Sequence, residues 1–389
     1  MKTQISLGLS RINWTLVVPR LRHHKTKMAV NWKLYFTPLP LLLLTYYLLF
    51  SGRKTTRKNE HHKGRQSGSG RNNGKPECPS NFQVVDGTCV RCPPGHFSFR
   101  GWIACLQWLD CTSIALDVRT RRRIGIPGHL NAVKEVYLAD WHGYDVVHSK
   151  CASDLYYEDC LHGMHMVEGL QGSEFVVQLI GICYSGSLEM VTGYYKHGSA
   201  DTLDELLERP ELGHFNTLET RFQLCIDYVK ILQFLHNSPL GVRVMCDSND
   251  ITKTLSQYLV TNDFHLVIND LDALPEVKAD EGELIKCGHR ELYGDFVAPE
   301  QLWPYGNSRP FDDEEMPPYD ERIDLWRIPN VVDKLLGRVH NSNYVRRLLI
   351  GIHESCKQED PEERPSATEV LEVFLNVQKI ISAGKRQDL

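Results

Sequence analysis

Apolar and polar positions divide the 389-residue chain into segments of distinct character. Residues 34–50, LYFTPLPLLLLTYYLLF, are 17 uncharged residues between Lys33 and Arg53-Lys54. As a helix they span about 26 Å, near the lower limit for a membrane helix and suited to a thin early-secretory bilayer. A signal peptide and a buried core helix are the alternatives. The long stretch ahead of the run and the lack of a small-residue cleavage site count against the first. The basic low-complexity flanks count against the second. Pro38 and Pro40 fall in the first turns, where proline is tolerated. The pattern predicts an uncleaved signal-anchor over 34–50, a basic tail over 1–33 and a flexible Gly/Ser/Asn-rich stalk over 51–77.

Beyond the stalk the periodicity becomes that of a folded domain. Residues 119–381 carry no internal repeat, and their elements follow a two-lobed plan. Lys134–Leu138 and Tyr144–Val147 read as strands, 154–170 as a helix and Val176–Leu179 as the strand after it. Met190–Lys196 reads as an edge strand. Arg221–Leu235 has apolar residues at helical spacing (Phe222, Leu224, Tyr228, Leu232, Leu235). Leu266-Val267-Ile268 is a short apolar strand. The expected fold class is α+β.

Composition adds less. An apolar fraction of 42% supports a sizeable core, and a net charge of −5 gives no sign of nucleic-acid binding. Lys and Arg cluster on both sides of 34–50, so charge does not orient the anchor. The cysteines do. Cys78, Cys89, Cys92, Cys105 and Cys111 lie among Pro, Gly and aromatics. Cys89-Val-Arg-Cys92 is half of a zinc pattern, but no second close pair follows. A small disulfide-stapled segment over 78–118, in an oxidising lumen, fits better. Five is odd, so one partner lies elsewhere or one thiol is free. A lumenal domain after an N-terminal anchor is a type II arrangement.

Three triplets then stand in order: Met245-Cys-Asp247, Asp270-Leu-Asp272 and Ala298-Pro-Glu300. Phosphoryl transfer needs an Asp to take the proton of the attacking hydroxyl and a second Asp to hold Mg²⁺ on ATP. An Ala-Pro-Glu then anchors the segment between them and the helical lobe. Asp324-Leu-Trp326 and Arg364-Pro365 match structural partners of that plan, with Arg364 expected to pair with Glu300. Other positions depart from it. His129, Asn131 and Lys134 stand where a Gly-rich loop has glycines, although Gly125 and Gly128 lie upstream. Ser149 stands in the place of the strand Lys. Lys134 is the candidate replacement cation; Lys150 competes but should face the other side of its strand. Glu158 and Asp159 are the candidate helix carboxylates to pair with it. No Asn follows Asp247 at the usual spacing, so Gln257 is the candidate second Mg²⁺ ligand, reaching from one carbon farther out. Asp272 replaces a glycine, which stiffens the segment after the metal Asp.

The runs Arg243–Asp250, Asn269–Pro275 and Lys286–Gly306 closely resemble the protein O-mannose kinase family, and the resemblance extends from about Cys92 to about 380. It implies a type II endoplasmic-reticulum membrane protein that uses ATP and Mg²⁺. Such a protein phosphorylates the 6-hydroxyl of O-linked mannose in a GalNAc–GlcNAc–mannose trisaccharide on α-dystroglycan. By position, Asp247 is then the base, Asp270 and Gln257 bind Mg²⁺, and Lys134 meets the phosphates. His289, Arg290 and Trp303 flank the acceptor side, where aromatic faces and N–H donors suit a sugar. Core packing of Trp303 and Tyr305 is the alternative. Cys246 and Cys287 form a lumenal disulfide or remain buried thiols. The competing functions are an inactive pseudokinase that binds a glycan or protein, and a cell-surface receptor with a cytosolic kinase domain.

Overall fold

The computed structural model describes residues 77–124, 133–246 and 248–384. The tail, anchor and stalk up to residue 76, together with Gly125, Gly128, His129, Asn131 and Asp247, lie outside the described residues. Among the described residues no helix is long and apolar enough to cross a membrane.

The cysteine-rich segment opens with two hairpins, β1 (Phe82–Val85) with β2 (Thr88–Arg91), and β3 (His96–Phe97) with β4 (Leu106–Gln107). Disulfides Cys78–Cys89 and Cys92–Cys105 staple them. Cys89 and Cys92 therefore belong to different bridges, and no metal-binding cluster occurs among the described residues. Helix α1 (Cys111–Asp117) starts at Asp110, whose carboxylate accepts from Ser113 N at 2.8 Å.

A five-stranded antiparallel sheet follows, formed by β5 (Val118–Arg123), β6 (Lys134–Trp141), β7 (Tyr144–Cys151), β8 (Leu179–Cys183) and β9 (Glu189–Gly193). Its order is β5-β6-β7-β9-β8. The strand over Met190–Lys196, expected at an edge, is thus interior, and β8 takes the edge. Val176-Val177 precedes β8 rather than joining it. The segment bridges to Ile268 instead (Val177 N to Ile268 O 3.0 Å, Ile268 N to Phe175 O 2.7 Å), so its apolar character serves the joint with the next lobe. Leu109 lies alongside β8. Its N–H donates to Ile180 O and its carbonyl accepts from Ile182 N, both at 2.9 Å. Cys111–Cys183 adds a covalent tie, which supplies the missing partner of the odd cysteine. Gln178 Nε2 donates to Asn81 Oδ1 and Ser98 O. The cysteine-rich segment is therefore fastened to the sheet.

Helix α2 (Tyr157–Gly169) packs on the sheet, and Cys151–Cys160 pins its first turns to the end of β7. The second lobe is mainly helical. It contains α3 (Leu203–Leu207), α4 (Leu218–His236), α5 (Ile251–Ser256), α6 (Arg322–Leu336), α7 (Ser342–Cys356) and α8 (Ala367–Gly384). Small antiparallel pairs join β10 (Val242–Arg243) to β13 (Glu276–Val277), and β11 (Tyr258–Val260) to β12 (Leu266–Ile268). Thr217 caps α4, and the apolar stripe read from the sequence is buried, with Leu224, Leu232 and Leu235 at 0% exposure. One core runs through α2, α4, β11, β12, α6 and α8. A mixed chain with a sheet-rich lobe and a helical lobe is consistent with a kinase-like fold.

Candidate active site

Strand β12 delivers the site. Its residues Leu266, Val267 and Ile268 are buried, so the chain emerges from the core at Asn269 in a fixed direction. Leu271 points back into the core at 0% exposure. Asp270 and Asp272, on either side of Leu271, share the opposite side, since both reach Lys134. There they meet Lys134, the first residue of β6. Lys134 Nζ lies 3.0 Å from Asp270 Oδ1 and 2.5 Å from Asp272 Oδ1. The three side chains are 20%, 32% and 13% exposed, with Asp270 the most open.

The charges of this trio are unequal. Burial alone would lower the Lys134 ammonium, but Asp270 and then Asp272 outweigh it and hold it above its ordinary value. Burial would raise Asp270, yet Lys134 keeps it below the usual carboxylate range. At Asp272 burial outweighs Lys134, and with Asp270 alongside it raises that carboxyl.

The other candidate partners lie elsewhere. Lys150 Nζ bonds Glu189 at 3.1 Å, on the far face of β7, as strand alternation requires. Ser149 is buried and donates to Met190 O at 3.3 Å. Glu158 and Asp159 sit exposed in the first turn of α2 and do not pair with Lys134. The residue of α2 that faces the trio is Gly163. A Cβ there would stand 2.3 Å from Asp272 Oδ1. A void of about 10 Å³ remains beside Lys134, Ser149 and Gly163.

Where the sequence has extra residues before Gln257, the chain forms α5, capped by Asp250 (accepting from Lys253 N at 2.8 Å). The helix ends at Gln257, whose carbonyl accepts from Asn269 N at 2.8 Å. Gln257 thus lies next to the β12 exit. Its amide nitrogen is turned onto Lys253 O and Ser256 Oγ.

Asp247 itself lies outside the described residues, but the chain just ahead of it is secured. Met245 N donates to buried Asp324 at 3.1 Å, and Met245 O accepts from Arg327 at 2.7 Å. Arg327 also bonds Gln301 Oε1 at 3.0 Å, which ties this loop to the Ala298-Pro-Glu300 segment. A Cys246–Cys287 disulfide joins the residue before Asp247 to the segment ahead of Ala298.

His289 and Arg290 are exposed on that segment, and His289 Nδ1 lies 2.7 Å from Asp313 Oδ2. Trp303 departs from the expectation of an open sugar-stacking face. It is 6% exposed, its indole N–H donates to Arg309 O, and Tyr305 and Phe311 pack edge-on against it. Tyr305 remains exposed, with the Arg309 guanidinium 4.2 Å from its ring centre.

Sequence reasoning did not assign Asp272 and Gly163 to the site. The signal was present: a charged residue replaces a glycine, and a glycine interrupts a helix.

No protein-family model matches the chain. Curated proteins do. It is 48% identical over 294 residues to the protein O-mannose kinase of Homo sapiens, covering 76% of this chain and 82% of the relative. The Gallus gallus protein O-mannose kinase is 49% identical over 286 residues, 74% of this chain and 79% of the relative. That of Macaca fascicularis is 48% identical over 286 residues, 74% and 80%. At such identity and coverage, the chain belongs to the protein O-mannose kinase family.

Proposed function

We propose that this protein transfers the γ-phosphate of ATP to the 6-hydroxyl of an O-linked mannose within a GalNAc–GlcNAc–mannose trisaccharide on α-dystroglycan. The observation that carries this reading is Lys134 against Asp270 at 3.0 Å. It puts a cation beside the metal Asp despite Ser149, so the missing strand lysine no longer argues for an inactive pseudokinase.

The residues fit Mg–ATP. Asp270 is a carboxylate at the cleft end of β12, hard oxygen donors suit Mg²⁺, and a lysine lies within reach for phosphate charge. Bound Mg–ATP supplies the transferable phosphoryl group. Asp270 offers its oxygens to the metal, and Gln257 offers a second ligand once its amide oxygen faces the β12 exit. Lys134 neutralises phosphate charge that grows in transfer. Asp247 accepts the proton of the mannose hydroxyl. His289 and Arg290 donate to sugar hydroxyls. The stacking role assigned to Trp303 passes to Tyr305.

Five disulfides support an oxidising compartment. With residues 34–50 as a single signal-anchor, the arrangement is type II in the endoplasmic-reticulum membrane with a lumenal kinase domain. Protease treatment of sealed microsomes tests this: digestion of the domain without detergent refutes it, along with the disulfide argument.

The full chain, incubated with Mg–ATP and a synthetic trisaccharide beside its Asp270→Asn variant, tests the chemistry. Phosphate on mannose from the parent alone supports the reading. Binding of the trisaccharide with no transfer from the parent overturns it.

A further inference from the structure

We infer that Asp272 is the positioning residue for Lys134, taking the place of a helix carboxylate, and that Gly163 is the gap in α2 that admits it. This role rests on Lys134 being the phosphate-facing cation.

A protein kinase orients its phosphate lysine with a glutamate from the helix behind the sheet. Here Glu158 and Asp159 are exposed and away from Lys134, so α2 supplies no such partner. The partner comes from the other side. Asp272 bonds Lys134 at 2.5 Å and is only 13% exposed. Lysine has a long flexible stem and loses much rotamer freedom when fixed, so a lone contact with Asp270 leaves it poorly directed. Asp270 is also the carboxylate that a metal would occupy. Asp272 is the second contact, and it leaves Asp270 free to serve the metal.

Gly163 explains why Asp272 fits. A helix interior favours alanine over glycine by about 1 kcal/mol. The glycine is required by close approach: a Cβ at 163 meets Asp272 Oδ1 at 2.3 Å and Cγ at 3.3 Å. Gly163 is buried and its helix is held at the first turn by Cys151–Cys160, so α2 cannot easily back away. Metal ligand and cation partner thus belong to one three-residue run, Asp270-Leu-Asp272, with Leu271 as its core anchor.

The sign of the effect separates positioning from bulk charge. A carboxylate that merely added negative charge near phosphates would, once neutralised, let nucleotide bind more tightly. A positioning residue, once neutralised, weakens it. The full-length chain and its Asp272→Asn, Gly163→Ala, Asp272→Ala and Gly163→Ala/Asp272→Ala variants are titrated with Mg–ADP by thermal shift. KM is then measured for ATP and for the trisaccharide.

The expected result is a nucleotide Kd and an ATP KM raised about tenfold in Asp272→Asn, with acceptor KM unchanged. Gly163→Ala should do the same, but add nothing further in the Asp272→Ala background, where the clash is gone. Unchanged or tighter nucleotide binding by folded Asp272→Asn overturns the role. So does a Gly163→Ala effect of equal size in both backgrounds. If Gly163→Ala fails to fold, recovery of folding in the double variant supports the gap and continued failure refutes it. A parent that binds no nucleotide and transfers no phosphate brings down the kinase reading itself, a distinct result.

Discussion

Arg364 holds Glu300 through both ends of its guanidinium, Nη1 to Oε1 at 2.6 Å and Nη2 to Oε2 at 2.8 Å. The arginine side chain is 0% exposed and the glutamate 16%. Such a pair gives little net stability when whole, but removing one partner strands a buried charge. Glu300→Ala is expected to lose about 3 kcal/mol or more of stability. Urea unfolding and activity per folded molecule check it. Wild-type stability with abolished activity would show that Glu300 belongs to the chemistry instead.

The Cys246–Cys287 bridge spans 41 residues, a loop long enough for a disulfide to contribute about 4 kcal/mol on the chain-entropy account. Cys246→Ser/Cys287→Ser should unfold at lower denaturant by an amount worth about 2–4 kcal/mol. Of 12 cysteines, Cys225 and Cys356 alone are free, and both are buried. Alkylation of the denatured chain without reductant should add labels at these two sites only. A label on Cys246 or Cys287 contradicts the bridge.

Lys134→Met leaves Asp270 and Asp272 facing each other without a cation. The cost is expected near 2 kcal/mol, less than for a fully buried pair because Asp270 is 32% exposed. Mg²⁺ should recover part of that loss by occupying the carboxylates, while phosphate transfer stays low. Melting curves with and without Mg²⁺ check it. Equal melting of parent and variant in both conditions would mean that Lys134 carries no load in the trio.

His353 sets an acid limit. Burial lowers its imidazole to about 4, and its Nε2 has no hydrogen-bond partner among the described residues. The unfolded chain, with an ordinary pKa near 6.5, binds this proton more readily. Stability is therefore complete above about pH 6.5 and falls as pH drops toward 4, by roughly 1–2 kcal/mol at pH 5 from this group. His353→Phe should flatten that part of the pH–stability curve. An unaltered acid limb in the variant would assign it to other groups.

Much of the molecule was legible because periodicity and motif order report the core directly. Arg221–Leu235, the Leu266–Ile268 strand and the Glu300–Arg364 pair follow from apolar spacing and charge placement. Lys134 was legible from alternation along β7, since Lys150 had to face away. The trio's third member was not, because nothing local links Asp272 to residue 134 or Gly163. Their meeting depends on how β6, α2 and the β12 exit converge. Val176-Val177 misled for a related reason: an apolar pair reads alike whether it packs in a sheet or at a joint between lobes. Trp303 stayed open between two readings because aromatic residues suit both sugar faces and interiors, and its burial favours the second.

The two borders of the five-stranded sheet are guarded differently. β5 carries the exposed Arg119, Arg121, Arg122 and Arg123, with Arg121 paired to Asp140 and Asp145, and an edge lined with charged side chains discourages addition of another strand. β8 has no such row: it is Leu-Ile-Gly-Ile-Cys, a sequence that invites pairing with another chain. Leu109 occupies that border and uses its free backbone groups, and it fits because Gly181 has no side chain; a Cβ there would meet Leu109 Cβ at 2.6 Å. Until Cys111 and Cys183 have joined, nothing covalent holds this cover in place. The hazard for newly made chains is thus self-association through β8 before oxidation, so a side chain at position 181 would act as a maturation defect in a molecule whose cleft residues are all intact.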